Sequence, residues 1–331
     1  MLSDAGREKG DLMNIDIPAG DPDFPPKTKL EFWRSQRAPG TGENGIPREQ
    51  YNKRSNWMDL ETIYGSTKEM NALLRQKDAA GALKCELILD DDYLPVNDER
   101  FNFSLPGRPG QHRNLFAAGD LRANQDYLLM VYQTLFVREH NRMCGVLHGK
   151  YPDWNVEQRF QTARIVMGAK MNMIGAAYFK AYFIDVPWPD DPTAIMRSWT
   201  GKTVLEINPL TMSYPWKMLL NPKTGDPYSL PNEFSVGYRW HDLIPASLQI
   251  FDKENNPTTL VNLAETAFNA TSFKQTGINS VVEAMSVTQI PDFHSGIQDT
   301  YRSMKFNFRN PDEGNGFDLA AWAIMHERER G

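Results

Sequence analysis

Apolar residues recur every three to four positions between Asn124 and Gly149, at Leu128, Val131, Leu135, Phe136, Met143 and Val146. This spacing predicts the strongest helix of the chain, with Gly149 placed for its C-terminal cap. Similar spacing predicts helices near Thr67–Gln76, Asn155–Lys170, Met171–Phe183, Thr259–Phe268, Gly277–Val287, Ser295–Met304 and Phe317–Glu329. A short helix is expected to carry Glu233 to His241. Pro187, Pro189 and Pro192 break the pattern, and residues 200–231 read as a loop-rich insertion. Between residues 77 and 113, short apolar runs such as Leu87-Ile88-Leu89 alternate with turn residues, which suits loop with minor strand. Residues 1–54 are rich in Pro, Gly and charge, without a sustained period, and read as an irregular N-terminal segment. The expected fold class is mainly α: one multi-helix domain over residues 1–331, with long loops and little β. Long loops in a helical domain often serve a site.

Composition narrows the function classes. The net charge of −6 gives no reason to expect a nucleic-acid partner, which needs clustered Lys and Arg. No run reaches the ~18 apolar residues of a membrane span. The most apolar stretch, residues 165–184, is interrupted by Lys170, Asn172 and Lys180 and reads as a buried helix pair. Two cysteines, Cys85 and Cys144, make no disulfide framework, and residues 1–11 lack an apolar signal core. Both features point to an intracellular, cytoplasmic protein.

Four segments carry candidate chemistry. In Tyr238-Arg-Trp-His241, the tyrosine and histidine lie one helical turn apart on one face. A neutral imidazole is a natural axial ligand for haem iron, and the same pair alone also suits core packing. In Phe116-Ala-Ala-Gly-Asp-Leu-Arg122, Gly119 permits a sharp turn, and Arg122 is a planar, permanently charged donor suited to polarising oxygen or peroxide. A solvent-facing Arg at a helix start is the plainer alternative. The following Glu139-His-Asn-Arg142 reads as a hydrogen-bond network between helices. In Ser55-Asn-Trp-Met-Asp-Leu-Glu61, the side-chain oxygens of Ser55, Asp59 and Glu61 and the carbonyl of Trp57 suit a hard cation such as calcium, or a solvated polar face. The C-terminal Asp318-Leu-Ala-Ala…Arg328-Glu-Arg-Gly331 is a helix that either brings Arg328 to a site or ends in solvent.

Taken in this order, the segments resemble the peroxidase–cyclooxygenase superfamily of haem enzymes. Asp59…Ile63-Tyr-Gly-Ser66 is similar to its calcium loop. Ala118-Gly-Asp-Leu-Arg122 and Arg138-Glu-His-Asn-Arg142 are similar to its distal side. Glu233-Phe…Tyr238-Arg-Trp-His241 is similar to its proximal-histidine segment. Tyr238, three residues before the histidine, and Leu135-Phe-Val-Arg-Glu-His-Asn-Arg-Met-Cys144 resemble the α-dioxygenases and cyclooxygenases in particular. The resemblance implies haem b held by His241 with Arg328 nearby, Arg122 on the distal side, and calcium at Ser55, Trp57, Asp59 and Glu61. It further implies a Tyr238 radical that abstracts hydrogen from a fatty acid, to which O2 adds. Gln125 and Asp126 stand where halide peroxidases link covalently to haem, and neither can make the corresponding link, so the haem is expected to be non-covalent.

There are departures. The earliest histidine is His112, well after the calcium loop, where the family carries its distal histidine before that loop. Ala323 stands where some peroxidases have an asparagine, and His326 where they have an arginine. Either the chain is a central part of a longer enzyme or it is a divergent member. A peroxidase that oxidises small donors with peroxide, and a haem-binding remnant without catalysis, are the two alternative functions.

Overall fold

The fold was obtained as a computed structural model. It describes residues 12–24, 29–30, 32–50, 55, 57–101, 114–183, 243–252, 254–291, 302, 305–306 and 317–330. Expectations for the proximal segment (Glu233 to His241) and for most of residues 295–304 therefore fall outside the described residues.

The centre of the fold is α3 (Tyr127–Lys150), which packs against α4 (Val156–Phe183). The Asp126 carboxylate caps α3 by accepting from the Leu129 N–H at 3.0 Å. Gly149 does not end the helix: α3 runs on to Lys150, and Tyr151 supplies the cap. The buried stripe of α3 is Met130, Val131, Thr134, Val137, His140, Cys144 and Leu147. Leu135 and Val146 are exposed instead. The stripe is shifted from the apolar reading because Thr134 and His140 enter the core with their polar atoms satisfied. Thr134 Oγ1 donates to the Met130 carbonyl at 2.7 Å.

α4 is one helix rather than two. Gly168 and Asn172 do not break it, because Asn172 Nδ2 donates back to the Gly168 carbonyl at 2.8 Å. It is also not buried all round: Phe160, Ala163 and Met167 face the core, while Ile165 is 71% and Met173 74% exposed.

Two short helices precede this pair, α1 (Glu61–Tyr64) and α2 (Lys68–Leu74), the latter capped by Thr67. Described strands come in antiparallel pairs. These are β1 (Ile15–Asp16) with β2 (Lys29–Leu30) inside the N-terminal segment, and β3 (Arg75–Lys77) with β4 (Leu83–Leu87). The third pair is β5 (Ser247–Phe251) with β6 (Pro257–Asn262). β6 replaces the first part of the helix expected at 259–268, and only a short 3-10 turn, Leu263–Thr266, follows it. Thr258, Thr259 and Val261 are β-branched and favour strand. Asp252 Oδ1 closes the turn by accepting from the N–H groups of Glu254 and Asn256 at 2.9 and 2.8 Å. Then come α5 (Ala270–Thr276) and α6 (Ile278–Val287). Last are β7 (Lys305–Phe306) with β8 (Phe317–Asp318), and α7 (Leu319–Arg330). Phe273 of α5 sits edge-on to Tyr93, Phe116 and Tyr127, with centroids 5.3–6.0 Å apart, and joins these elements to α3.

The mainly α reading holds, with little β. No described helix is long and apolar enough to cross a membrane.

Candidate functional site

The turn before α3 is built around Gly119. A Cβ there would lie 2.4 Å from the Gly65 nitrogen, 2.6 Å from the Glu61 carbonyl and 2.8 Å from that of Thr62. Glycine is required for this backbone-on-backbone contact, and not for a turn geometry closed to other residues. The contact seats the Ala118-Gly-Asp-Leu-Arg122 segment directly on α1, which follows the candidate calcium loop. Two segments far apart in sequence thus meet.

On this turn Asp120 is buried and Arg122 is half-exposed. Asp120 Oδ1 accepts from the Arg122 backbone N–H at 2.9 Å, and Oδ2 accepts from Nε and Nη2 at 3.0 and 2.6 Å. Burial works against the Arg122 charge, but the Asp120 hydrogen bonds outweigh it and raise its pKa, with Glu61 adding attraction. The guanidinium is a fixed cation with one edge held and 48% of the side chain open.

The candidate calcium residues share one loop. The Glu61 carboxylate accepts from the Ser55 N–H, Ser55 Oγ from the Trp57 N–H at 3.1 Å, and Asp59 Oδ1 from the Glu61 N–H at 3.2 Å. Asp59 also pairs with Arg164 of α4 at 3.5 Å. The loop is tied to α4 through the Met58 carbonyl, which accepts from Asn172 Nδ2 at 3.3 Å.

The Glu139-His-Asn-Arg142 segment binds α3 to its neighbours. Glu139 bonds Arg142 and also Lys170 of α4. The Arg142 bond first, then that of Lys170, pull its carboxyl down to about 2. Asn141 exchanges two hydrogen bonds with the Leu87 backbone at 2.8 and 2.9 Å. His140 is buried, with Nδ1 2.9 Å from Tyr64 Oη and Nε2 3.0 Å from the Cys85 carbonyl. A carbonyl only accepts, so Nε2 carries the hydrogen, and Tyr64 donates to Nδ1. Both rings are neutral: burial raises the Tyr64 pKa and lowers that of His140 from 6.5 to about 4. For His140, Arg75 adds to the lowering, while the Cys85 bond and Glu86 oppose it.

Below pH 6.5 the unfolded chain therefore binds a proton that the folded chain refuses until about pH 4. Stability is expected to fall as pH drops through this window, by about 3 kcal/mol at most. Urea midpoints measured across it should flatten in His140→Gln. An unchanged slope in that variant would assign the loss to other groups.

Cys85 and Cys144 form a disulfide that ties β4 to α3. Two cysteines read as making no disulfide framework; with this bond, cysteine usage no longer argues for an intracellular location. The count missed it because the partners are 59 residues apart.

Of the other expected residues, His241 and Tyr238 lie outside the described residues. Arg328 lies in α7, but its side chain is not described. Ala323 is exposed on that helix. Asp126 spends its carboxylate on the α3 cap.

Human thyroid peroxidase is 35% identical over 162 residues, which is 44% of this chain and 17% of that protein. Horse prostaglandin G/H synthase 2 is 28% identical over 232 residues, 69% of this chain and 33% of that one. The rice alpha-dioxygenase PIOX is 23% identical over 329 residues, 92% of this chain and 49% of the relative. The chain thus spans half or less of the length of these relatives. Among solved structures, rice (Oryza sativa) fatty acid alpha-dioxygenase superposes with a TM-score of 0.67 at 21% identity, over 99% of this chain and 52% of that one. Peroxidase A from Dictyostelium discoideum also gives 0.67, at 17% identity, over 97% and 59%. The animal haem peroxidase family model matches residues 3–331, so the chain belongs to the animal haem peroxidase family.

Proposed function

We propose that this chain is the haem-binding part of a dioxygenase that adds O2 to fatty acids through a tyrosyl radical. The observation that carries the proposal is the Gly119 contact. It places the Arg122 turn on the helix after the candidate calcium loop, so segments read separately as parts of one haem site are neighbours in space. The family match and the rice alpha-dioxygenase relative support it, as does a solved rice alpha-dioxygenase variant with palmitic acid.

Two described residues support a non-covalently held haem. Arg122 presents a fixed cation suited to an anionic or peroxidic oxygen. Asp126 is occupied by capping and is not offered for a covalent link. When bound, haem supplies the oxidising equivalent drawn from a peroxide. In this reading His241 would hold the iron through its neutral imidazole, and Arg328 would help to hold the haem. Tyr238, three residues before His241 in the sequence, would yield one electron and its hydroxyl proton to the oxidising equivalent that haem supplies, and would then take a hydrogen atom from the substrate chain. His140 is not the base for peroxide in this reading, because Nδ1 already accepts from Tyr64, Nε2 carries the hydrogen that faces the Cys85 carbonyl, and burial makes the ring a weak base. We further propose calcium at Ser55, Trp57, Asp59 and Glu61, where it would replace the Arg164 pairing of Asp59.

A second reading, peroxidase action on small donors, is favoured by the thyroid peroxidase and Peroxidase A likenesses. Oxygen uptake with a free fatty acid, compared with dye oxidation by hydrogen peroxide, separates the two. Tyr238→Phe is expected to retain haem and lose oxygen uptake by at least ~10²-fold, as expected for removal of a group that acts on the reacting atoms. Full oxygen uptake by that variant would remove the radical role.

A further inference from the structure

The haem reading leaves one cluster of reactive side chains unused. Cys85, His140 and Cys144 are all buried, and one ligand atom from each lies within 4.8 Å of the others. Among the described residues this is the one such group of three or more His, Cys, Asp or Glu side chains. We propose that Cys85, Cys144 and His140 form a zinc-class metal site in the reduced chain, which the Cys85–Cys144 disulfide replaces when the chain is oxidised.

The donor set argues for zinc. Soft thiolates with an imidazole suit Zn2+ or Cu+ over hard cations. The site is buried, and burying net charge is costly. Two thiolates and neutral His140 sum to −2, so Zn2+ leaves the site neutral, whereas Cu+ leaves an uncompensated charge.

Geometry agrees. With Zn–S about 2.3 Å and Zn–N about 2.05 Å, tetrahedral ligands bring sulfur and nitrogen to about 3.5 Å apart. Cys144 Sγ and His140 Nε2 already stand 3.4 Å apart. Their spacing of four residues on α3 fixes that distance. The sulfurs need to stand about 3.8 Å apart, which side-chain rotation at Cys85 on β4 provides once the bond is cut. The Cys85 carbonyl, 3.0 Å from Nε2, offers an oxygen as a candidate fourth ligand.

The surroundings support a ligand histidine. Metal-bound imidazoles donate their other N–H to a fixed partner. Tyr64 Oη is 2.9 Å from Nδ1 and is itself buried. In the oxidised chain Tyr64 donates to Nδ1. In the metal-bound chain the His140 hydrogen moves from Nε2 to Nδ1 and is donated to Tyr64, so the ring stays neutral.

The redox step balances. A phosphine and water reduce the disulfide to two thiols and yield the phosphine oxide. Zn2+ then displaces two protons from the thiols. Because the cluster is buried, loading belongs to folding: a reducing medium selects the metal and an oxidising one the disulfide.

The test uses the full chain. It is unfolded in urea with a phosphine reductant in the absence of air, then diluted into buffer containing Zn2+ or Co2+. The chain has two cysteines, so any thiolate-to-cobalt charge-transfer band reports on them. The expected result is one metal ion per chain with that band, and a higher melting temperature with Zn2+ than without. Air-oxidised protein and the Cys85→Ser/Cys144→Ser variant should take up none, whereas exposed His148→Ala should match the parent. Equal zinc in the reduced parent and the double cysteine variant would overturn the proposal. So would a reduced parent that takes up no metal, whether it folds or not.

Discussion

Gly119→Ala is expected to destabilise the fold by about 3 kcal/mol, at the upper end of overpacking costs. Three backbone atoms of Glu61, Thr62 and Gly65 lie within 2.8 Å of the new Cβ, and backbone cannot swing aside as a side chain can. The melting temperature should fall by about 6–12 °C, given roughly 2–4 °C per kcal/mol for a large domain. The damage is also local. The Arg122 turn is lifted off α1, so the residual folded protein should bind haem less well. Gly145→Ala on α3 is the control. A Cβ there meets nothing within 4 Å, and replacing a mid-helix glycine is expected to gain up to ~1 kcal/mol. Equal melting temperatures for Gly119→Ala and the parent would show that the two segments do not pack as described.

His241→Ala is the second large effect. Alanine offers no donor atom, so the iron loses its protein ligand in the proposed site. The Soret band of the haem-loaded chain should vanish or collapse to that of free haem, while far-ultraviolet circular dichroism stays unchanged. His148→Ala, at an exposed position on α3, should retain the band. Imidazole added to His241→Ala should restore part of it by refilling the vacated position. A parent-like spectrum in His241→Ala without added imidazole would move the ligand elsewhere.

Much of the helical frame was legible from periodicity. Ile278–Val287 and Lys68–Leu74 fall where apolar spacing and Thr67 put them. Periodicity failed where burial is not apolar. On α3 it named Leu135 and Val146, but the core took Thr134 and His140, because their hydrogen bonds are satisfied by Met130, Tyr64 and Cys85. It failed again at β6, where propensity and an Asp252 turn decided against a helix. For the site, motif order identified Gly119 and Arg122 but misread what the glycine is for. A close backbone approach has no local signature, whereas a turn does. The Cys85–Cys144 pairing had to wait for tertiary structure, since nothing within 59 residues of chain announces it. Family membership was legible because several separate segments appear in one order, and the family match spans residues 3–331.

The account rests on this chain holding haem. Titrating the 331-residue parent chain with haem and following the Soret region tests that most directly. A saturable band with an endpoint at one haem per chain is the predicted result. A linear rise indistinguishable from haem in buffer, from protein whose circular dichroism shows it folded, would contradict the account.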